Sequence, residues 1–460
     1  MWPWFLLAFC HALLAVASIY HVLLYKRDPR AALSWILMSV ALPLGGGAYF
    51  VFGVNRIRKR ALGRGLFSVA FESGGARQLT ANVSGRGIDS VGQRVSGQET
   101  SAGNSVGAFF TGETAYHAMC QSIHGAKHRV WLSTYIFKVD SVGETFSDAL
   151  RKARERGVDV KVIIDGVGEK YASPSPVAHL RKLGIAVVSY LPPKLIPPGW
   201  WLNLRNHRKL LVIDNHCAYC GGINVSEDHT GSPPFSADVQ FSLGGPVVAD
   251  LAQVFARDWQ FAAGQTLLCS MPAAEQSGSE RCRVIPDGPD EQLDALALTI
   301  NAVIGAAQRS VDIMVPYFLP GRALTAALQA ATLRGIAVRI VLPERSNLRW
   351  VDWAQRNGLA DLLRWGICVY FQPSPFCHAK LLKIDDAYLL IGSANLDPRS
   401  LRLNFEIGVE VFGQSSATVI ANYFDSVLEK STDVSMQWLQ ERSVPVRLRD
   451  SAAALFSPYL

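Results

Sequence analysis

The sequence lacks a His-Glu-x-x-His pair, a cluster of carboxylates and a Walker-type glycine loop, so neither a zinc-hydrolase nor a nucleoside-triphosphate site can be read from it. Charge is missing from long stretches of the amino-terminal region. Trp2 to Tyr25 has no acidic or basic residue besides His11 and His21, and Ala31 to Phe52 has no charged residue at all. Either stretch is long enough to cross a bilayer as a helix, and together they read as a membrane hairpin. A basic n-region is also absent and a second apolar stretch follows at once, so Ala15-Val-Ala17 is not read as a cleavage site. Pro43 and Gly45 to Gly47 make the second stretch a candidate for a kinked or re-entrant segment. Paired C-x-x-C motifs are missing too. Of eight cysteines (Cys10, Cys120, Cys217, Cys220, Cys269, Cys282, Cys368 and Cys377), only Cys217 and Cys220 have that spacing. Set in a strand pattern, they read as core thiols of a reducing compartment rather than a zinc or redox site. Cys377 adjoins His378 and is placed to be reactive, although no step requires it.

What the chain does contain is a repeated signature. His207-Arg-Lys209-Leu-Leu-Val-Ile-Asp214 is matched by His378-Ala-Lys380-Leu-Leu-Lys-Ile-Asp385, and each copy leads through a second apolar run to a glycine turn and an asparagine, Asn224 and Asn395. On a strand, His and Lys two residues apart project to the same face and can present an imidazole and an ammonium to one phosphate. Each Asp is an odd number of residues beyond its Lys. It is read as ending the strand and capping backbone N–H groups, although it remains within the candidate catalytic set His207, Lys209, Asp214, His378, Lys380 and Asp385. One copy alone would be an ordinary strand-end histidine with a solvated edge lysine. Two copies in matching contexts argue for chemistry.

The duplication extends beyond the motifs. Arg129-Val-Trp-Leu-Ser-Thr-Tyr-Ile-Phe137 matches Ser310-Val-Asp-Ile-Met-Val-Pro-Tyr-Phe318, and Arg156-Gly-Val-Asp-Val-Lys-Val-Ile-Ile-Asp165 matches Arg334-Gly-Ile-Ala-Val-Arg-Ile-Val-Leu-Pro343. Between them, 144–156 and 322–334 have helical spacing of Ala and Leu before an Arg-Gly stop. The spacing predicts an α/β fold of two similar halves, each with a mostly parallel sheet. A pseudo-twofold axis would then bring the two histidines together, their separation of 378 − 207 = 171 residues being one repeat length. The expected organisation is a membrane anchor over 1–60, a flexible Gly/Ser/Gln-rich linker over 61–107, a first half over 108–272 and a second over 273–460, with 273–281 connecting the halves.

The paired motifs resemble those of the phospholipase D superfamily, in which two copies share one active site. The resemblance implies a two-step phosphodiester exchange: one His attacks phosphorus to give a phosphohistidine, and the other protonates the leaving alkoxide and then activates the incoming hydroxyl. Lys209, Lys380, Asn224 and Asn395 would hold the phosphoryl oxygens. On this scheme neither a metal nor a cofactor is needed. A nucleophilic imidazole needs a partner to fix its tautomer. The candidates are Asp238, 238 − 207 = 31 residues past one His, and Glu406, 406 − 378 = 28 past the other, each within its own half. Asn404 would share a face with Glu406.

The segments Arg27-Asp-Pro-Arg-Ala-Ala-Leu-Ser-Trp35, Leu42 to Gly53 and Asn395-Leu-Asp-Pro-Arg-Ser-Leu-Arg-Leu-Asn-Phe-Glu406 are similar to those of bacterial cardiolipin synthases of the phospholipase D type. That resemblance implies transfer of a phosphatidyl group from one phosphatidylglycerol to another at the bacterial inner membrane. The alternatives are hydrolysis or another alcohol acceptor. Tyr190 to Leu202, apolar and proline-stiffened, is read as dipping into the headgroup region beside the site or packing between the halves. Net charge of +7 and a pI near 9.0 suit anionic lipid. They suit nucleic acid equally, but the apolar anchor argues against a nuclease. Oligomeric state is not legible. Lys26, Arg27 and Arg30 lie between the apolar stretches, and Arg56, Arg58, Lys59, Arg60 and Arg64 follow them. The positive-inside rule then places both termini and the catalytic region in the cytoplasm. If the second stretch does not cross, the N-terminus lies outside.

Overall fold

The structure, a computed structural model, describes residues 2–26, 29–53, 87–193, 204–231, 235–269, 275–289 and 294–457. The N-terminal unit begins with a 24-residue helix, Trp2–Tyr25. A second helix, Pro29–Ala41, has 13 residues, a rise of roughly 20 Å against the ~30 Å of a hydrocarbon core. It breaks at Pro43 and Leu44, where Leu44 has φ 61, and a short helical piece continues from Gly45 to Gly53. Glycine is required there for close packing. A Cβ on Gly46 would lie 2.3 Å from the Leu14 carbonyl oxygen, and one on Gly45 would lie 2.1 Å from that of Met38. Among the described residues, Trp2–Tyr25 is the one helix long and apolar enough to cross a membrane. Of the hairpin read from the sequence, the first stretch is a helix of span length and the second, a candidate for a kinked or re-entrant segment, is broken at Pro43 and Leu44. Trp4, Phe5, Phe9, Leu13, Val16, Tyr20 and Leu24 on the first helix are exposed, the surface a helix presents to lipid rather than to water. Of the basic residues flanking the apolar stretches, Arg27, Arg56, Arg58, Lys59, Arg60 and Arg64 lie outside the described residues, as does 61–86.

The second unit holds both motifs. It opens on a helix, Gly87–Ser96, and strand β1 (Ser101–Phe109), so the expected linker ends before residue 87. Ser-Ala-Gly-Asn-Ser-Val-Gly-Ala-Phe has no strand alternation. It is a strand because two neighbours satisfy its backbone, and Gly107 lets the next strand approach to where a Cβ would meet Ser242 Oγ at 2.6 Å.

The first repeat then supplies β2 (Arg129–Thr134), β3 (Asp159–Asp165), β4 (Ala186–Tyr190), β5 (Arg205–Asn206), β6 (Leu210–Ile213), β7 (Cys217–Gly221), β8 (Ser236–Ala237) and β9 (Gln240–Gly244). The second supplies β10 (Glu280–Asp287), β11 (Ser310–Met314), β12 (Ala337–Pro343), β13 (Cys368–Gln372), β14 (Phe376–Cys377), β15 (Leu381–Ile384), β16 (Tyr388–Gly392), β17 (Asn404–Phe412) and β18 (Thr432–Asp433). Strand β10 thus begins inside the 273–281 stretch read as a connection. The crossover helices Ser141–Glu155 and Arg322–Leu333 end alike: Arg156 and Arg334 donate to carbonyls of the preceding helix end, and Gly157 and Gly335 take φ 87 and φ 83.

The sheet is mixed, not mostly parallel. Strands β2-β3-β4 and β11-β12-β13 pair in parallel across helical crossovers. Strands β6 and β7, like β15 and β16, are separated by three residues and must return antiparallel. The order β18-β13-β12-β11-β15-β16-β17-β10-β1-β9-β7-β6-β2-β3-β4 is continuous, with β1 against β10 joining the repeats edge to edge. Each repeat has its own outer core. A third core is common to both, with Trp131, Phe241, Phe255 and Trp259 in one cluster with Phe405, Ile407, Ile420 and Phe424. All eight cysteines are free. Cys220 faces the common core and Cys217 the outer one, so the pair cannot act together.

Candidate active site

Two short parallel pairings carry chain from one half to the other. Strand β5 runs beside the start of β17 with Arg205 opposite Asn404 and Asn206 opposite Phe405, and β14 runs beside β8 with Cys377 opposite Ala237. The next residue in each strand continues the register: His207 N–H donates to the Phe405 carbonyl at 2.9 Å, and His378 N–H to that of Ala237 at 2.6 Å. The register brings each histidine to a carboxylate of the other half. His207 Nδ1 lies 3.0 and 3.1 Å from the two oxygens of Glu406, and His378 Nδ1 lies 2.9 Å from Asp238 Oδ2. The pairing of each histidine with the acid downstream in its own repeat is thereby corrected. Intervals along one repeat cannot show a register formed between two.

Each carboxylate nevertheless rests on the glycine turn of its own half. Gly222 leaves room for Asp238, since a Cβ there would be 2.4 Å from Oδ2. At the equivalent position Ser393 donates its hydroxyl to Glu406 Oε2 at 2.5 Å, and Asn404 Nδ2 donates to Oε1 at 3.1 Å. The two pairs therefore differ electrically. Burial alone would raise the Glu406 carboxyl, but His207, Lys209 and the Ser393 hydroxyl hold it below its ordinary value. Burial raises Asp238, with Lys380 and His229 opposing.

Lys209 and Lys380 are buried on the histidines' face, each donating to the carbonyl of its own His. Burial lowers the Lys209 ammonium to about 7 against the pull of Glu406, and lowers Lys380 against that of Asp238. His207 is lowered by burial despite Glu406, and His378 is lowered well below its usual value by burial and then by Lys380. Lys380 acts on His207, and Lys209 on His378, so the four cationic groups of the two motifs share one electrostatic neighbourhood. Each imidazole has a carboxylate partner at Nδ1, and Lys380 Nζ also lies 3.0 Å from Nδ1 and 3.2 Å from Nε2 of His378.

Asp214 and Asp385 are elsewhere, at the far ends of β6 and β15. Each adopts φ 50 and accepts backbone N–H groups, Lys127, His128 and Arg129 for the first and Gln308, Arg309 and Ser310 for the second. That geometry ties each motif strand to the one beside it and gives neither aspartate a place in the site. Asn224 Oδ1 accepts Ile136 N–H at 3.1 Å, while the buried Oδ1 of Asn395 has no hydrogen-bond partner among the described residues. Cys377 is buried on the opposite face against Met314, and burial pushes its thiol up to about 12, so it is not the reactive thiol expected. Of the Tyr190 to Leu202 loop, residues 194–202 lie outside the described residues.

Several site residues escaped the sequence reading. His229 is buried with its ring 6.1 Å from that of His378. Tyr135 stands edge-on to His207 at 5.3 Å and Tyr317 to His378 at 6.3 Å. Both tyrosines sit in the duplicated segment ending in Phe137 and Phe318, a signal that could have marked them. Asp165, at the end of β3, accepts the N–H of Asn206 at 2.7 Å and so holds the residue before His207. Glu406→Gln is expected to shift the Nδ1 15N resonance of His207 while leaving that of His378 in place. The reverse pattern would return the carboxylates to their own halves.

Comparison with known proteins accords with this geometry. The family model described as "Cardiolipin synthase, PLD-like domain" matches residues 119–259 and 300–428, more than half the chain, and one described as "Phospholipase_D-nuclease N-terminal" matches 13–53. The major cardiolipin synthase ClsA of Bacillus subtilis is 30% identical over 97% of this chain and 97% of its own. The cardiolipin synthase of Alkalihalophilus pseudofirmus is 30% identical over 95% of this chain and 90% of its own. Among solved structures, phosphatidylserine synthase of Haemophilus influenzae superposes with a TM-score of 0.63 at 14% identity, covering 81% of this chain and all of that one, a likeness of fold. With both motifs facing one site and full-length similarity of this kind, the chain belongs to the cardiolipin synthase family of the phospholipase D superfamily.

Proposed function

We propose that the site transfers a phosphatidyl group from one phosphatidylglycerol to the terminal hydroxyl of another, giving cardiolipin and glycerol. Membership of the family makes the chain a phosphatidyltransferase. The observation that supports the residue roles is the pair of buried imidazoles, each backed by a carboxylate at Nδ1. One Nε2 attacks phosphorus as the P–O bond to glycerol breaks, and the other histidine supplies the proton glycerol takes with it. That second histidine then accepts the proton of the incoming hydroxyl as its oxygen displaces the first. Lys209 and Lys380 neutralise the phosphoryl oxygens in a dry site where their charge acts strongly, with Asn224 and Asn395 beside them. The anionic substrate offsets the lysines that depress the imidazoles, which lets one histidine carry the proton the leaving group needs.

The single span-length helix also bears on topology. With the second apolar segment broken, Lys26, Arg27 and Arg30 and the later basic cluster fall on one side of the cytoplasmic membrane. The positive-inside rule makes that side the cytoplasm, with the N-terminus outside. An N-terminal epitope tag should be cleaved by protease added to intact spheroplasts and a C-terminal tag protected; protection of both would restore the two-span hairpin.

Purified protein in mixed micelles with phosphatidylglycerol as sole phospholipid should yield cardiolipin and glycerol, and His207→Ala and His378→Ala should each lose at least a thousandfold in rate while remaining folded. Phosphatidic acid as sole product would make the enzyme a hydrolase, and near-normal activity in either variant would refute the shared site. The acidity of Lys209 sets the alkaline limb. As pH rises through about 7 the free enzyme loses this cation, so kcat/KM should fall above that pH. In Lys209→Arg, whose guanidinium stays charged, the limb should move up by more than one pH unit at reduced rate. An unmoved limb would remove Lys209 from phosphate binding.

A further inference from the structure

The two carboxylates that orient the histidines have unequal supports. Glu406 belongs to β17, a nine-residue strand inside the sheet, and receives the Ser393 hydroxyl and the Asn404 amide. Asp238 follows β8, a two-residue strand in a two-stranded sheet with β14. Besides His378, Asp238 accepts the N–H of Val239 at 2.8 Å, and Gly222 stands where the other half has Ser393. A side chain, His229, ties β8 to the rest of its half.

His229 is buried just past the turn that carries Asn224. Its Nε2 lies 3.4 Å from the backbone nitrogen of Asn224, and its Nδ1 lies 3.2 Å from the Ser236 carbonyl oxygen. A backbone N–H can only donate, so Nε2 is the bare nitrogen and Nδ1 carries the hydrogen that Ser236 accepts. One neutral ring thus bridges the Asn224 turn and the strand that leads to Asp238. Ser236 is opposite Phe376 in the pairing of β8 with β14, and the Ala237 carbonyl accepts the His378 N–H. The backbone of His229 is itself closely packed: a Cβ on Gly112, at the start of the helix Gly112–Gly125, would lie 2.1 Å from its carbonyl oxygen.

The second half has a different residue in this place. Ser400 lies five residues past Asn395, as His229 lies five past Asn224, and its N–H donates to Asp397 at 2.7 Å within its own turn. The ring therefore supports one histidine of the pair, the one whose carboxylate sits beside the shorter strand.

We infer that His229 is a positioning residue for His378: by joining Ser236 to Asn224 it fixes β8, and through β8 the Asp238 carboxylate that orients the His378 imidazole. It takes no proton and touches no substrate in this part, which accounts for a polar ring buried 6.1 Å from that of His378 with both nitrogens engaged by backbone. The inference rests on the catalytic part proposed for His378 above.

The two bonds of the ring can be removed separately. His229→Leu loses both, His229→Asn keeps an amide donor where Nδ1 stands, and His229→Gln puts an amide oxygen where Nε2 stands. In full-length protein in detergent micelles without substrate, His229→Leu should move the Nδ1 15N resonance of His378 and leave that of His207 in place. With phosphatidylglycerol its kcat should fall at least tenfold while KM changes less than threefold. His229→Asn, which keeps the bond to Ser236, should return the His378 resonance toward that of the parent and recover more of the kcat than His229→Gln; this pair carries the test if His229→Leu does not fold. An unmoved His378 resonance, equal movement of both histidines, a kcat within twofold of the parent's in His229→Leu, or equal kcat in the asparagine and glutamine variants overturns the assignment. Near-normal activity in His378→Ala would instead sink the shared-site reading, while the resonances without substrate still report whether His229 orients the His378 ring.

Discussion

Everything in the catalytic region depends on the contact each histidine makes with a carboxylate from the other half. An imidazole buried among lysines is a defined nucleophile or base only if its Nδ1 proton has an acceptor, and each histidine here meets that acceptor in the opposite repeat. The pairings of β5 with β17 and of β14 with β8 exist to deliver that register. They are two residues long, too short to stand alone, so the common core and the edge-to-edge join through β1 and β10 must hold the halves in place. Arg208 reinforces the join on the Glu406 side. Fully buried, it donates to the Glu406 carbonyl at 2.9 Å, to Asp258 at 2.5 Å and to the Asp287 carbonyl at 3.2 Å. Removing one partner from such a network leaves a buried charge uncompensated, at a cost of about 3–5 kcal/mol. Ala379 stands at the equivalent place in the second motif, so the symmetry of the site is not carried through to its supports.

Burial and mutual repulsion govern the electrostatics of the site. Burial depresses both lysines and both histidines, and Glu406 and Asp238 only partly offset it. In the proposed reaction a phosphodiester adds negative charge beside these groups, which would link its binding to uptake of the catalytic proton. The asymmetry between a Glu406 carboxyl held below its ordinary value, with Ser393 and Asn404 donating to it, and an Asp238 raised by burial makes the two histidines unequal although their motifs are alike.

The membrane unit follows a different rule. Gly46 lets the interrupted segment lie against the first helix at Leu14, and Gly45 lets it turn closely over Met38 of the second.

Much of this was legible in the residues. The His and Lys spacing, the duplicated segments, the crossover helices with their Arg-Gly ends and the first apolar helix all follow from local periodicity. The capping part of Asp214 and Asp385 follows from their parity with the lysines. These features depend on neighbours a few positions away, and a sequence records such neighbours directly. Other features were decided only in three dimensions: the crossing of Asp238 and Glu406 to opposite histidines, the strand at Ser101–Phe109 in a segment composed like a linker, and the gathering of His229 and Tyr135 around the site. Each depends on residues far apart in the chain, commonly more than a hundred positions, whose proximity is set by strand register and by burial. Register between halves leaves no period in the sequence, because what selects it is the packing of the whole common core.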